Sequence, residues 1–346
     1  MMETVIGWDV GGAHLKAARA EKGIITGAVQ IACPLWLGLE TLDRAFLEAE
    51  TALGQAPLNA VTMTGELCDI FATRKEGVAQ LSALMTRLLS PRRAVFYAGP
   101  AGFTGGSEAG NAARAIASAN WHASAALAAM REHDALFIDA GSTTTDIIAL
   151  VSGKPANRGF TDAERLQHGE LVYTGMSRSF LMAGPKWVPF EGSWTPLMNE
   201  WFAAMADVHR ILGQLPEGAD MSETPDGREK TKAASCARLA RMIGRDATEA
   251  DEAAWERLAH FFAEAQLREL FDAAALVLSR SLMPADSPVI GAGAGVGLVR
   301  ELAGRLRRPF LSFDALIACA PEVRSKACDC APAAAVALLA AVHFAA

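Results

Sequence analysis

The sequence predicts an α/β protein of two similarly folded halves that share a cleft. Three observations carry that reading. The chain has 346 residues, about two domains' worth. Strand-like and helix-like patterns alternate along most of it. An N-terminal unit, Gly7-Trp8-Asp9-Val10-Gly11-Gly12, is echoed by Phe137-Ile138-Asp139-Ala140-Gly141-Ser142 at a domain-sized separation. In each, an apolar strand ends in Asp-x-Gly, a small-residue turn follows, and a second strand returns.

The elements follow in order. Thr4–Val10, Leu15–Ala20 and Ile24–Ile31 are short apolar runs separated by Gly11-Gly12 and Lys22-Gly23, turn chemistry that favours successive hairpins. Leu42, Ala45, Phe46 and Ala49 mark one face of a helix over about Leu39–Leu53. A strand at Ala60–Thr64, a helix at about Glu76–Leu89 closed by Pro91, and a strand at Ala94–Tyr97 complete the first half, 1–110. The second half, 111–346, begins with a helix over Asn111–Arg131 and the strands Ala135–Asp139 and Thr143–Val151. The stretch 152–230 is rich in Pro, Trp and Gly and poorly periodic. It reads as a loop-rich insertion with one helix at Leu197–Leu212. Helices at Glu229–Met242 and Glu249–Ser281, a strand at Pro288–Gly291, a helix at Gly297–Leu306, a strand at Phe310–Phe313 and a last helix at Pro332–Phe344 close the chain.

Composition excludes several classes. With 51% hydrophobic and 21% charged residues, disorder is not the main state. The net charge of −7 and the lack of a long basic stripe argue against nucleic acid. The knot Arg305, Arg307 and Arg308 reads as a solvated helix end. No apolar run reaches the roughly 20 residues of a membrane span, and the Ala-rich run Ala331–Ala346 reads as a packed helix. No secretory signal is recognisable, so the cytoplasm is the expected compartment. The six cysteines form no zinc-type pairs. Cys328-Asp329-Cys330 is a weak metal signal, and the role of Cys319, Cys328 and Cys330 stays open.

The chemistry concentrates in three glycine-bearing turns. Glycines let backbone N–H groups approach an anion closely, and an adjacent Asp suits a hydrated Mg²⁺. Asp9-Val10-Gly11-Gly12 alone is also an ordinary hairpin turn. Asp139-Ala140-Gly141-Ser142-Thr143-Thr144-Thr145-Asp146 is more specific, with two carboxylates and four hydroxyls around one hairpin. The third, Gly291-Ala292-Gly293-Ala294-Gly295-Val296-Gly297, is neither a dinucleotide fingerprint nor a P-loop. It presents N–H groups at a helix start, or simply packs a helix tightly on a strand.

These three loops, in this order, resemble those of the actin/sugar-kinase/heat-shock ATPase superfamily. That resemblance implies two actin-like, ribonuclease H-like α/β domains facing a phosphate-binding cleft, with Gly291, Gly293 and Gly295 at the nucleoside. Thr62-Met63-Thr64-Gly65-Glu66-Leu67-Cys68-Asp69 and Gly169-Glu170-Leu171-Val172-Tyr173-Thr174-Gly175 look like the hydantoinase A-type branch. Asn120-Trp121-His122-Ala123-Ser124, Asn199-Glu200-Trp201-Phe202-Ala203, Thr224-Pro225-Asp226-Gly227-Arg228 and the run from Gly7 to Lys16 are similar to the tetrahydromethanopterin-linked one-carbon pathway family. That group includes the methanofuran-biosynthesis condensing enzyme.

The resemblance implies a transferase that joins the phenol oxygen of a tyramine- or tyrosine-type acceptor to an aminomethyl-furanmethanol diphosphate, releasing diphosphate. It implies Mg²⁺ held by Asp9 and Asp139 with Asp146 in support. Diphosphate oxygens would lie at Gly11, Gly12, Gly141, Ser142, Thr143 and Thr144, with charge from Lys16. Glu66, whose loop carries an acid in the relatives too, is the expected base, so Glu66, Asp9 and Asp146 form the expected catalytic set. His14 touches phosphate or is a hydrogen-bonded strand histidine. Arg178, Arg228 and Lys230 reach a substrate carboxylate or form surface ion pairs. Trp121, Trp187, Trp194 and Trp201 line an aromatic pocket or pack, with Trp121 and Trp201 expected in the core. An ATP-dependent kinase or hydantoinase-like ATPase, and a nucleotide-binding subunit without activity of its own, use the same loops and stay open, as does a homo-oligomer.

Overall fold

The computed structural model describes residues 4–345. The first half opens with β1 (Val5–Val10), β2 (His14–Glu21) and β3 (Ile24–Ala32), followed by α1 (Glu40–Leu53), β4 (Leu58–Met63), α2 (Arg74–Leu89), β5 (Arg93–Tyr97) and β6 (Phe103–Gly105). Then come α3 (Ala113–Ile116), α4 (Asn120–Ala129), β7 (Ala135–Ala140), β8 (Thr145–Val151), β9 (Lys154–Pro155), α5 (Asp162–Gln167), β10 (Leu171–Val172), β11 (Trp187–Phe190) and β12 (Ser193–Pro196). The remainder is α6 (Met205–Ile211), α7 (Lys232–Arg241), α8 (Glu252–Ser279), β13 (Val289–Ala292), α9 (Val296–Arg305), β14 (Phe310–Ser312), α10 (Phe313–Leu316), α11 (Arg324–Asp329) and α12 (Ala331–His343).

The two large sheets have the same wiring. The first runs β3-β2-β1-β4-β5-β6 and the second β10-β8-β7-β13-β14. In each, the first strand pairs antiparallel with the next and parallel with a strand further along the chain. That is the duplicated ribonuclease H-like order, and it makes β1 the counterpart of β7 and β2 that of β8. Helices stand on both faces of each sheet. Ile6, Trp8 and Val10 pack outward against the α1 and α2 side, while Leu136, Ile138 and Ala140 pack outward against α8 and α9. Val5 and Phe137 face a shared middle layer built from α4 and α12. Side chains alternate along a strand. Asp9 therefore shares the inward face with Val5, and Asp139 shares it with Phe137, at the ends of opposing strands.

Alanine-rich α12 fits this middle layer because small residues allow close approach. A Cβ on Gly7 of β1 would lie 2.0 Å from the Ala333 carbonyl oxygen, so glycine is required there. Among the described residues no single helix is long and apolar enough to cross a membrane. The C-terminal run is indeed a helix buried from Ala331 to Leu338.

Three expectations are corrected. The helix expected over Asn111–Arg131 is broken between α3 and α4, where Ser118 takes φ +50°. Its hydroxyl is drawn to Glu66 and Asp162, a tertiary demand that overrides helix propensity. The helix expected at Leu197–Leu212 shrinks to α6. The amides of Leu197 and Met198 instead donate to the carbonyls of Lys186 and Met242, and Asp207 caps α6 by accepting from the Ala204 amide at 3.1 Å. Trp201 consequently lies off any helix, is 46% exposed and packs on Phe180. The stretch 152–230 is also less loop-like than expected. It holds α5, the β11–β12 hairpin and α6, and with α7 and α8 it buries a core of its own.

Candidate functional site

The two equivalent turns between paired strands face the cleft. The Gly11 amide donates to the His14 carbonyl at 3.0 Å, and the Gly141 amide donates to the Thr144 carbonyl at 2.9 Å. Gly11 and Gly141 thus spend their own N–H groups closing the turns. The amides that follow, at Gly12 and Ala13 and at Ser142 and Thr143, donate to no protein acceptor among the described residues. Free N–H groups paired in this way suit an anion. The second turn is braced from outside, because Met176 donates to the Gly141 carbonyl and Ser177 and Arg178 to that of Ser142.

Carboxylates gather beneath the turns. Asp9 stands opposite Lys16 across β1–β2, and Asp139 opposite Asp146 across β7–β8. Like charges in directly opposed positions destabilise a sheet unless neutralised. Arg165 of α5 meets that need for Asp146, at 2.5 Å and fully buried. Burial raises the Asp9 pKa to about 6, opposed by Lys16 and assisted by Asp146. Burial likewise raises Asp139 to about 7, against Lys16 and with Asp146, Asp9 and Asp329 adding repulsion. Burial also pushes Asp146 up, against the pull of Arg165. Burial opposes the charge on Lys16, yet Cys330, Asp139, Asp9 and Asp329 outweigh it and raise its pKa. Its Nζ donates to the Asp329 carbonyl at 2.9 Å.

The floor therefore holds more buried carboxylates than cations, and Asp9 Oδ1 is buried without a hydrogen-bond partner. An unsatisfied buried acceptor costs about 1–3 kcal/mol, so these groups fit a hard cation. Among the described residues no three His, Cys, Asp or Glu side chains converge as a ready-made metal cage. Asp9 and Asp139 suit the sparse protein ligation of magnesium, which keeps waters and shares phosphate oxygens.

The walls come from both halves. Glu66 lies in the turn after β4, whose Gly65 packs against the carbonyls of Val10 and Gly11. It is 1% exposed; Ser118 donates to its Oε1 at 2.8 Å, and its Oε2 has no partner. Burial raises its pKa to about 7, with Ser118 and Arg74 pulling down and Asp162 pushing up. His14 is buried with Nε2 unpartnered; burial, then Lys16 and Arg178, lower its pKa to about 3, so the imidazole is neutral. Arg178 has no carboxylate partner among the described residues and lies 5.0 Å over the Trp36 ring. Trp36 sits in a turn tied to the first loop, where the Leu35 amide donates to the Gly12 carbonyl.

The glycines of the third loop make backbone contacts to the second turn and to the C-terminal segment. Gly291 lies within β13, Gly293 donates to the Cys328 carbonyl, and Gly295 donates to the Ala140 carbonyl. Gly293 has φ +82°, and a Cβ there would lie 2.3 Å from Asp139 Oδ1. These glycines pack β13 and α9 against the second turn. Lys230 pairs with Asp220, while Asp226 accepts from the Arg228 amide and pairs with buried Arg238; the Arg228 side chain is exposed and has no ion pair among the described residues. Trp121 is in the core, under the Arg165 guanidinium at 4.3 Å, while Trp187 and Trp194 are exposed on the β11–β12 hairpin. All six cysteines are free thiols. Sequence reasoning missed Trp36, Ser118 and Arg165. Only Trp36, an aromatic two residues after Pro34 at the end of the first three strands, left a local signal.

The chain belongs to the hydantoinase/oxoprolinase family, whose model matches residues 58–308, and it has two actin-like α/β domains. Within that class it is 30% identical over 243 residues to the (4-{4-[2-(gamma-L-glutamylamino)ethyl]phenoxymethyl}furan-2-yl)methanamine synthase of Methanocaldococcus jannaschii, covering 70% of this chain and 72% of that protein. It is 35% identical over 115 residues to the synthase of the same name from Methanococcus vannielii, covering 33% of this chain and 51% of that one. Among solved structures, nucleotide-free acetone carboxylase superposes with a TM-score of 0.59 at 10% identity, over 88% of this chain and 67% of that chain.

Proposed function

We propose that the protein is a transferase of methanofuran-type cofactor biosynthesis. It joins the methylene of an aminomethyl-furanmethanol diphosphate to the phenol oxygen of a tyramine- or tyrosine-type acceptor and releases diphosphate. The observation that carries this reading is Glu66, a buried carboxyl with one free oxygen beside the first phosphate-type turn. The synthase names of the relatives support it.

In this reading the diphosphate lies between the two turns. The free amides of Gly12, Ala13, Ser142 and Thr143 donate to its oxygens, and Lys16 and Arg178 add positive charge. Asp9 and Asp139 would hold a magnesium ion, which would supply charge neutralisation for the leaving diphosphate. The furfuryl C–O bond breaks with its electron pair passing to diphosphate, and the phenol oxygen forms the new bond to that carbon. Fixed donors aimed at the departing charge stabilise this step most. The phenolic proton goes to Glu66. A phenol has a pKa of about 10, so transfer to an ordinary glutamate is uphill by roughly 5.5 pH units and transfer to Glu66 by about 3. The raised pKa thus removes about 3 kcal/mol from the proton transfer.

The test is a paired assay of purified protein with Mg²⁺. Diphosphate release and product mass are followed from the furan diphosphate with tyramine, tyrosine and γ-glutamyl-tyramine, with ATP hydrolysis measured in parallel. The expected result is an ether product without ATP. A phosphorylated product with ATP consumed would replace this reading by a kinase, and silence in both arms would favour a subunit that needs a partner.

A further inference from the structure

The backbone strap that braces the second turn, residues 174–178, is itself held by side chains far away in the chain. The strap lies so close to the turn that a Cβ on Gly175 would come within 2.7 Å of backbone atoms of Ser142 and Thr143. Its amides at Met176, Ser177 and Arg178 donate to the Gly141 and Ser142 carbonyls, at 2.9, 3.1 and 2.8 Å. Its other contacts go to α8 and to the insertion. The amide nitrogen of Gln266, on α8, donates to the Thr174 hydroxyl at 3.0 Å and to the Gly175 carbonyl at 2.8 Å. The amides of Met205 and Ala206, which open α6, donate to the carbonyls of Ser179 and Ser177.

These contacts fix which way the Gln266 amide points. Two acceptors claim its nitrogen, so its oxygen faces His209 of α6 and accepts from Nε2–H at 2.9 Å. The other ring nitrogen faces the Gln214 side-chain amide at 3.2 Å. Burial lowers the His209 pKa, against the hydrogen bonds to Gln266 and Gln214. Gln266 and His209 are both buried, so water cannot replace a partner that either one loses. The strap also reaches the first half, because the Arg178 guanidinium lies 5.0 Å over Trp36, and the neighbouring Leu35 amide donates to the Gly12 carbonyl. One short segment therefore touches the second turn with its backbone and a neighbour of the first turn with its last side chain. A shift of about 1 Å in such a segment is enough to spoil a preorganised site.

We propose that Gln266 is a positioning residue of the anion site: oriented by His209, it sets the strap, and the strap sets both the second turn and the reach of Arg178 toward the first. The inference rests on the function proposed above only in taking the two turns as the diphosphate site. It gives the insertion a part in the site although α6 lines neither turn.

The experiment has two readouts on the intact chain. Calorimetry measures binding of inorganic diphosphate with Mg²⁺, and hydrogen exchange measures protection of the Met176, Ser177 and Arg178 amides without any ligand. Gln266→Met keeps the side-chain length and removes both donors. It is expected to weaken diphosphate binding about tenfold and to speed exchange at the three amides by at least as much. His209→Leu should give a smaller loss in the same direction, and His209→Gln, which keeps a donor near the Nε2 position, should recover most of it. Leu239→Ala, a cavity in the insertion core away from the strap, should lower the melting temperature and leave both readouts unchanged. Wild-type affinity and protection in Gln266→Met would overturn the proposal, as would equal losses in Leu239→Ala. If Gln266→Met does not fold, the two His209 variants decide, and equal behaviour of leucine and glutamine there would overturn it. Lost protection in a protein whose wild type binds no diphosphate would uphold the strap's role and reject the diphosphate site.

Discussion

Replacing Glu66 by glutamine keeps the acceptor for the Ser118 hydroxyl and removes one buried titration. In the folded protein burial holds this carboxyl near a pKa of about 7, against an ordinary value of 4.5. Between those values the folded state binds a proton that the unfolded chain has released, so stability falls as pH rises. The shift is worth about 3 kcal/mol in full, of which about 2.5 kcal/mol develops between about pH 5 and pH 8. Arg74, Asp162 and Ser118 face Glu66 and are unchanged by the substitution, as are the raised Asp9 and Asp139. Their contributions cancel when the two proteins are compared. Urea unfolding of wild type and Glu66→Gln across that range is expected to show the variant gaining about 2.5 kcal/mol on wild type from acid to base. Parallel stability profiles would refute the claim that Glu66 is a buried, protonatable group. In the reaction, wild-type kcat/KM should rise with pH as Glu66 ionises near pH 7, and Glu66→Gln should lose that limb.

Asp9→Asn is expected to fold normally by circular dichroism, to lose calorimetric binding of diphosphate with Mg²⁺, and to form product about 10²–10³-fold more slowly; normal turnover would contradict its placement. Arg165→Leu leaves Asp146 buried beside Asp139 without its partner, so thermal unfolding should report a loss of about 3–5 kcal/mol. Adding Asp146→Asn should recover much of that loss, and simple additivity in the double-mutant cycle would count against the pair. Gly7→Ala forces a methyl onto the Ala333 carbonyl and should cost about 1–3 kcal/mol, while Gly105→Ala, with open space around it, should leave the melting temperature unchanged.

The parts of the fold legible in the sequence are those set by local chemistry. The hairpins of both halves are written in apolar runs and glycine turns, and the Asp9–Asp139 echo marks two strands that prove to be topological equivalents. What the sequence hides is decided by distant partners. Ser118 breaks a good helical pattern because Glu66 and Asp162 claim its hydroxyl. Arg165 looks like one more surface arginine, yet it neutralises Asp146 and lies over Trp121. The glycines from Gly291 to Gly295 read as phosphate or nucleoside chemistry, and the structure adds a packing role that the motif does not spell out, the amides of Gly293 and Gly295 donating to the Cys328 and Ala140 carbonyls. A glycine motif announces close approach without saying what approaches.

The central claim is that the phenol oxygen displaces diphosphate in a cleft built from the two turns. The most direct measurement uses an acceptor carrying heavy oxygen in its phenol, incubated with the furan diphosphate, Mg²⁺ and protein without ATP, and weighs both products. The account predicts that the ether keeps the heavy oxygen and that the released diphosphate is unlabelled. An unlabelled ether, or product that forms only when ATP is added, would contradict it.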